Sequence, residues 1–237
     1  MRPEGAIMKI LFIGNSHTFM NDMPRLVSDM IAHMTGQACQ SVMLAYPGRS
    51  LKWHMEEEYF SERFNILHGG YDFCVIQEQA HPMTDEDSTV KNAAKIIELC
   101  AKAGTVPVIF ETWAEKTMPE HQAEMTRRYR DLAKKTGALL APIGEVWETV
   151  LKEHPEVDLY WKDGEHASPA GDYLISAVIT GTVTGSAPDA GYMDAYDFSG
   201  TGGFPSANED VEKEHVMLSQ QTVAVILDAV DKVMRNA

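Results

Sequence analysis

The residues best suited to do chemistry lie near the two ends of this chain. Close to the N-terminus, Gly14-Asn15-Ser16 follows a short apolar run at 9–13. A buried strand that breaks into a tight turn before a helix, here near residue 21 or 22, would expose Ser16 beside free backbone N–H groups. Such a position suits a serine nucleophile, because nearby N–H groups can hold the oxyanion that it creates. The same pattern also fits a serine that merely caps the helix.

The second set of reactive residues is Asp163 and His166, three positions apart around a glycine. Ser168-Pro169 is typical of an N-cap and first helical residue, so this pair is predicted on a loop just before a helix. A carboxylate at this spacing can reach the imidazole, fix its tautomer and stabilise the imidazolium. Asp-x-x-His alone is common in loops, and its combination with Ser16 is what predicts nucleophilic catalysis.

Polar groups also follow two other predicted strands. Gly48 lies just past a strand at 40–45, and its N–H either faces the same crevice as Ser16 or belongs to a simple turn. Gln77-Glu78-Gln79 follow a strand at 71–76. An amide of Gln77 or Gln79 could donate to a developing oxyanion. The alternative is a loop whose polar side chains bond to neighbouring backbone.

The elements that must position these residues follow from hydrophobic periodicity. Runs of strand length alternate with helical spacing, which predicts a doubly wound, parallel five-stranded sheet. Because the carboxyl ends of parallel strands meet at one edge, we expect the candidate residues to converge there. The predicted strands are 9–13, 40–45, 71–76, 106–110 and 138–143, and the main helices are 22–35, 85–103, 119–135, 144–154 and one from 169.

The C-terminal part predicts less regular structure. Residues 186–205 are rich in Gly, Asp, Ser and Ala, which favours a surface loop. Ser206-Ala207-Asn208-Glu209 fits a capping box, so we predict a C-terminal helix over 206–235 that docks on the same domain. With no linker-like stretch in the middle, the chain is predicted to form a single domain over 1–237, with its core at about 8–185.

Charge and composition exclude several functional classes. The 237 residues carry a formal net charge of −15, without a Lys/Arg cluster that nucleic acid would require. An anionic membrane surface would repel the chain, and no apolar run approaches the ~20 residues that span a bilayer. Three widely spaced cysteines fit neither a disulfide framework nor a zinc site. We therefore expect a soluble, cytoplasmic protein.

Taken together, Gly14-Asn15-Ser16 and the run from Asp163 to Ser168 resemble the first and last sequence blocks of the SGNH (GDSL-type) hydrolases. The resemblance covers about residues 9–185. It implies a three-layer α/β/α sandwich with a flavodoxin-like five-stranded parallel sheet. It also implies a catalytic triad, with Ser16 as nucleophile, His166 as general base and Asp163 as the residue that orients His166.

The resemblance extends to the oxyanion hole. Gly48 matches the glycine of the family's second block, whose N–H joins that of the nucleophilic serine. Two departures stand out, because Asn15 replaces the usual aspartate and Gln77-Glu78-Gln79 replaces a Gly-x-Asn pattern. Gln79 falls where the family has asparagine, so it is the expected third donor.

The function implied by the resemblance is that of a serine esterase. It would cleave a short-chain ester, with acetyl preferred and a carbohydrate as one possible alcohol, through an acyl-enzyme. No metal or organic cofactor is implied, and the only expected partner is a small-molecule ester. The alternative is a non-catalytic module that binds a small ligand such as a carbohydrate on the same fold. The missing Gly-x-Asn pattern favours that alternative, and the intact Ser16, Asp163 and His166 favour the enzyme.

Overall fold

Five parallel strands form the central sheet of this protein, for which a computed structural model describes residues 7–56, 60–79, 86–189, 195–199 and 213–235. The strands lie in the order β2-β1-β3-β4-β5. Their carboxyl ends are nearly aligned, because Ile13 pairs with Ile76 and Ile76 with Ile109. The strands are β1 (Met8–Gly14), β2 (Cys39–Ala45), β3 (Phe73–Ile76), β4 (Val106–Phe110) and β5 (Leu139–Ala141).

Helices follow the strands closely, as the periodicity predicts. A four-residue helix, α1 (Ser16–Phe19), and a 3-10 turn (Met20–Asp22) come before α2, so the first helical turn begins at Ser16 and not near residue 21. In the described ranges, no helix is both long enough and apolar enough to cross a membrane. The helices are α2 (Met23–Thr35), α3 (Leu51–His54), α4 (Phe60–His68), α5 (Glu86–Ala103), α6 (His121–Thr136), α7 (Ile143–Glu153), α8 (Pro169–Thr184) and α9 (Gln220–Met234).

Alternation along β1 builds two hydrophobic cores, one on each face of the sheet. Ile10 and Phe12 pack against α2, α7, α8 and α9. Leu11 and Ile13 point the other way and pack against α3, α4, α5 and α6. Because successive strand residues face opposite sides, a strand that is apolar throughout must be covered on both. The expected three-layer α/β/α sandwich is confirmed.

The C-terminal prediction is partly wrong. Strands β6 (Ala195–Ser199) and β7 (Lys213–Met217) pair antiparallel, where the sequence predicted loop and helix respectively. The helix begins only at α9, because Ser219 Oγ accepts a hydrogen bond from the Thr222 N–H at 3.0 Å and acts as its N-cap. The predicted capping box at 206–209 lies outside the described residues. Buried α9 side chains such as Val223 and Ile226 join the first core.

Candidate active site

The turn after β1 places Ser16 at the start of a helix. Asn15 caps α1, since its Oδ1 accepts a hydrogen bond from the His17 N–H at 3.1 Å. Ser16 is the first helical residue and is half-buried. Gly14 must be glycine, because a Cβ there would lie 2.3 Å from Thr18 Oγ1 and 2.5 Å from Gln77 Oε1. The turn therefore presents the Ser16 hydroxyl beside helix N–H groups that have no partner within the helix.

A hydrogen-bonded chain links Ser16 to the loop between α7 and α8. His166 Nε2 lies 2.8 Å from Ser16 Oγ, and His166 Nδ1 lies 2.7 Å from Asp163 Oδ2. The other carboxylate oxygen of Asp163 accepts the backbone N–H groups of Glu165, at 2.9 Å, and His166, at 3.0 Å. In this arrangement one imidazole nitrogen can accept the serine proton while the other donates to a carboxylate.

The Asp163 carboxylate remains charged at neutral pH. Partial burial disfavours the charged form, but the Glu165 N–H and the contacts with His166 outweigh it and hold the pKa of Asp163 below its ordinary value. An ionised Asp163 accepts hydrogen bonds and donates none. It therefore keeps the proton on His166 Nδ1 and leaves Nε2 free to act as a base.

Contacts from three directions fix the loop that carries His166. The Trp161 N–H donates to the His166 carbonyl at 2.7 Å. Trp113 Nε1 donates to the Glu165 carbonyl at 2.9 Å. Asn21 Nδ2 donates to the Ala167 carbonyl at 3.1 Å, which ties this loop to the segment that follows Ser16.

Asn21 has a left-handed backbone, with φ of 50°, and its amide also bonds the carboxyl of Asp172 on α8. Asp172 is fully buried, and this burial raises the pKa of its carboxyl well above the ordinary value, although the bond from Asn21 offsets part of the effect. This contact connects the two halves of the candidate site through the protein interior.

The His166 imidazole packs against a column of rings formed by His17, Trp113 and Trp147. The His17 ring lies 4.6 Å from that of His166 and 5.1 Å from that of Trp113, measured between ring centroids. Trp113 in turn stacks on Trp147 at 4.2 Å with an interplanar angle of 7°. Trp113 is fully buried. Trp113 therefore acts from within the core, as part of this column.

The turn that carries Gly48 is anchored to the Ser16 turn at two points. The Tyr46 N–H donates to the Gly14 carbonyl at 3.1 Å, and Asn15 Nδ2 donates to the Arg49 carbonyl at 3.0 Å. Within the turn, the Arg49 N–H donates to the Tyr46 carbonyl at 3.2 Å. Gly48 has φ of +65°, the conformation that the third position of a type II turn requires, and it is exposed. The turn that carries Gly48 is therefore held against the turn that carries Ser16.

The two glutamines after β3 lie in different environments. Gln77 is fully buried, and its Oε1 accepts hydrogen bonds from the Asn15 N–H and from Thr18 Oγ1, both at 2.9 Å. Its Nε2 donates to the Glu78 carbonyl. The Gln77 amide thus lies beneath the Ser16 turn and does not face the crevice, so its expected role as an oxyanion donor gives way to a supporting one. Gln79 is exposed.

Glu78, to which the sequence assigned no role, connects the loop after β3 to the first turns of α3 and α5. Its Oε1 accepts the N–H of Leu51 at 3.0 Å and of Gln79 at 2.6 Å, and its Oε2 accepts the Thr89 hydroxyl at 2.9 Å. The run of polar residues after a buried strand was the signal for this role. The pattern could not say which of the three side chains would point inward.

His54 and Glu62 form a buried pair behind the Gly14 turn. His54 Nε2 lies 2.9 Å from the Gly14 carbonyl and Nδ1 lies 3.3 Å from Glu62 Oε1. Each ring nitrogen of His54 thus lies against an acceptor oxygen, and the contact with the Gly14 carbonyl supports the turn. In the described part of the chain, no group of three or more His, Cys, Asp or Glu side chains is arranged to hold a metal ion.

Several solved structures have a fold similar to that of this chain. The chain is similar to the esterase EstA from Pseudoalteromonas sp., with a TM-score of 0.53 and 13% identity over 75% of this chain and 97% of that one. It is also similar to a carbohydrate esterase of family 3 from Talaromyces cellulolyticus, with a TM-score of 0.60 and 11% identity over 75% and 97% of the two chains. The chain has the SGNH hydrolase fold.

A third similar structure is a protein from Desulfitobacterium hafniense DCB-2 described as lipolytic and of the G-D-S-L family. Its TM-score is 0.55 and its identity 16%, over 73% of this chain and 98% of that one. None of the protein-family models and none of the curated protein sequences compared with this chain matches it. The likeness that these comparisons show thus lies in the three-dimensional fold.

Proposed function

We propose that this protein is a serine esterase. The observation that carries the proposal is the continuous chain from Ser16 Oγ through the His166 imidazole to the Asp163 carboxylate, with links of 2.8 and 2.7 Å. These distances are within the range that proton transfer from a serine to a general base requires. The esterases among proteins of the same fold support this assignment.

The proposed reaction begins when His166 Nε2 takes the proton of Ser16 Oγ. The oxygen then attacks the ester carbonyl, and the backbone N–H groups of Ser16 and Gly48 hold the resulting oxyanion, with Gln79 as a third donor. The imidazolium returns the proton to the departing alcohol, which leaves an acyl-enzyme. A water molecule activated by the same imidazole releases the acid and restores Ser16.

Short acyl groups are the proposed substrates, with acetyl esters preferred and a carbohydrate as one possible alcohol. The similarity to a carbohydrate esterase supports this choice, as does a surface whose strong negative charge gives no affinity for anionic membranes. The same acyl-enzyme would also permit transfer to an alcohol other than water.

The first test is hydrolysis of p-nitrophenyl acetate, butyrate and octanoate by the wild type and by Ser16→Ala. We expect the rate to fall by roughly a thousandfold or more in the variant, since the nucleophile is lost. The trend with chain length would measure the acyl pocket. Equal rates for both proteins, together with no labelling of Ser16 by a fluorophosphonate probe, would contradict the proposal and favour the non-catalytic binding module.

Asp163→Asn is the matched test of the orienting role. An asparagine can donate to His166 Nδ1, which would leave the proton on Nε2, the nitrogen that must accept from Ser16. We therefore expect kcat to fall by about 10⁴-fold with the fold intact. A variant that keeps most of its activity would show that Asp163 does not set the tautomer.

A further inference from the structure

The turn that carries Gly48 also carries an unusual arginine. Among the described residues, the guanidinium of Arg49 donates no hydrogen bond and has no carboxylate oxygen within 4.0 Å. In an acidic chain, with 35 acidic and 20 basic residues, such a cation is conspicuous. The guanidinium groups of all the other described arginines bond to carboxylates or carbonyls: Arg25, Arg63, Arg127, Arg128, Arg130 and Arg235.

Aromatic rings, and not an ion pair, hold this side chain in place. The Arg49 guanidinium carbon lies 5.1 Å from the centroid of the Trp53 ring. Trp53 in turn contacts the ring of Tyr46, at 5.0 Å between centroids, and Tyr46 is 39% exposed. A guanidinium that stacks through its face keeps its in-plane N–H donors for another partner. Arg49 is exposed, so these donors face solvent.

The backbone of Arg49 is tied to the turn that carries the candidate nucleophile. The Arg49 carbonyl accepts the Asn15 amide at 3.0 Å, and Asn15 directly precedes Ser16. Gly48, the proposed oxyanion donor, directly precedes Arg49. The long Arg49 side chain therefore starts from a backbone position beside both proposed oxyanion donors, Ser16 and Gly48.

We propose that Arg49, stacked on Trp53, binds a carboxylate carried by the substrate, so that the enzyme acts on anionic esters. This inference rests on the proposed esterase function and names its substrate class. A guanidinium matches a carboxylate through two parallel hydrogen bonds. Because the net charge of −15 repels anions in general, a cation carried on the turn next to that of Ser16 is the feature that would admit one.

The carboxylate could belong to either half of the ester, and two matched substrate pairs distinguish the cases. p-Nitrophenyl succinate carries the charge in the acyl half, and p-nitrophenyl butyrate is its neutral counterpart. 4-Acetoxybenzoate carries the charge in the leaving group, and 4-acetoxybenzamide is its neutral counterpart. For each enzyme the measured quantity is the ratio of kcat/KM for the charged ester to that for the neutral one.

We expect Arg49→Gln to lower this ratio by about tenfold in one of the two pairs, the effect of losing a partly exposed charge-assisted contact. Arg49→Lys should recover part of it, since a lysine keeps the charge but not the fork. Arg235→Gln at the end of α9 makes the same change in net charge and should leave both ratios unchanged. Added salt should lower the wild-type ratio and not that of Arg49→Gln.

The outcomes separate this inference from the proposed function. If Ser16→Ala hydrolyses the neutral esters as fast as the wild type, the esterase function itself fails. If hydrolysis depends on Ser16 but Arg49→Gln leaves both ratios unchanged, the carboxylate site is refuted. An equal loss on charged and neutral esters would also refute it, because Arg49 would then only hold the Gly48 turn.

Discussion

Replacing Asn15 with aspartate restores the residue usual in SGNH hydrolases, and yet we expect it to damage this protein. The side chain is 2% exposed. Its Nδ2 donates to the Arg49 carbonyl at 3.0 Å and to the Glu78 carbonyl at 3.4 Å. An ionised aspartate would donate neither bond and would direct its charge at two carbonyl oxygens.

The magnitude follows from these contacts. Two lost hydrogen bonds cost about 2 kcal/mol of unfolding free energy, at about 1 kcal/mol each. A buried carboxylate without a cation has its pKa raised by roughly three units, which corresponds to about 4 kcal/mol at pH 8. We therefore expect Asn15→Asp to lose about 4–6 kcal/mol of unfolding free energy at pH 8, the lower figure if the lost hydrogen bonds are already part of the pKa shift.

The pH dependence distinguishes this explanation from simple loss of packing. The pKa of the introduced aspartate would be higher in the folded protein than in the unfolded chain, where it is about 3.9. The penalty should then be smallest below pH 4, where a protonated acid can still donate to the Arg49 carbonyl. It should grow by about 1.4 kcal/mol per pH unit until the folded pKa is reached.

Urea unfolding between pH 4.5 and pH 8 is the assay, with Asn15→Ala as the control. The alanine variant loses the same amide but has no group that titrates, so its loss should stay constant with pH. Two results would refute the reasoning. Asn15→Asp could have the same free energy of unfolding as the wild type at pH 8, or its loss of free energy could stay in parallel with that of Asn15→Ala at every pH.

Two further predictions concern groups that the proposed reaction does not use directly. Burial raises the pKa of Glu111 to about 8 from its ordinary 4.5, so the neutral acid stabilises the fold below pH 4.5 and this contribution is lost as the pH rises to 8. This loss is a pH dependence of the unfolding free energy of at most about 1.4 kcal/mol per pH unit, and Glu111→Gln should remove it. Urea unfolding of both proteins over this pH range measures it, and the same pH dependence in both would contradict the prediction. His17→Leu should lower kcat/KM about tenfold, because the His166 ring loses its neighbour at 4.6 Å, while His17→Phe should lose less; equal losses would contradict a role for the ring.

The main elements of the fold could be predicted because each has a local cause. The apolar runs of β1, β3 and β4 and the helical periodicity between them specify a parallel sheet covered on both faces. The strands β6 and β7 could not be predicted in this way. Each has five residues and takes its stability from the other, and nothing in the Lys213–Met217 segment distinguishes a strand from the start of a helix.

The same contrast holds for the candidate site. Ser16 directly follows a turn, and Asp163 and His166 lie in a loop, each with a recognisable local composition, so short-range patterns single these residues out. The roles of Gln77 and Gln79 depend on which way each side chain points once the strand has ended. That direction is set by contacts 62 residues away, such as the bond between the Asn15 N–H and Gln77 Oε1. No local pattern contains this information.

The two departures from the SGNH sequence pattern are physically a single change. Asn15 and the Gln77-Glu78 pair contact each other directly, because Gln77 Oε1 accepts the Asn15 N–H and the Asn15 amide reaches the Glu78 carbonyl. An aspartate at 15 would have no donor for that carbonyl. The longer Gln77 side chain, in turn, fits only because residue 14 has no Cβ. As a bonded set, Asn15, Gln77 and Glu78 are an alternative way to hold the turn that presents Ser16 to His166.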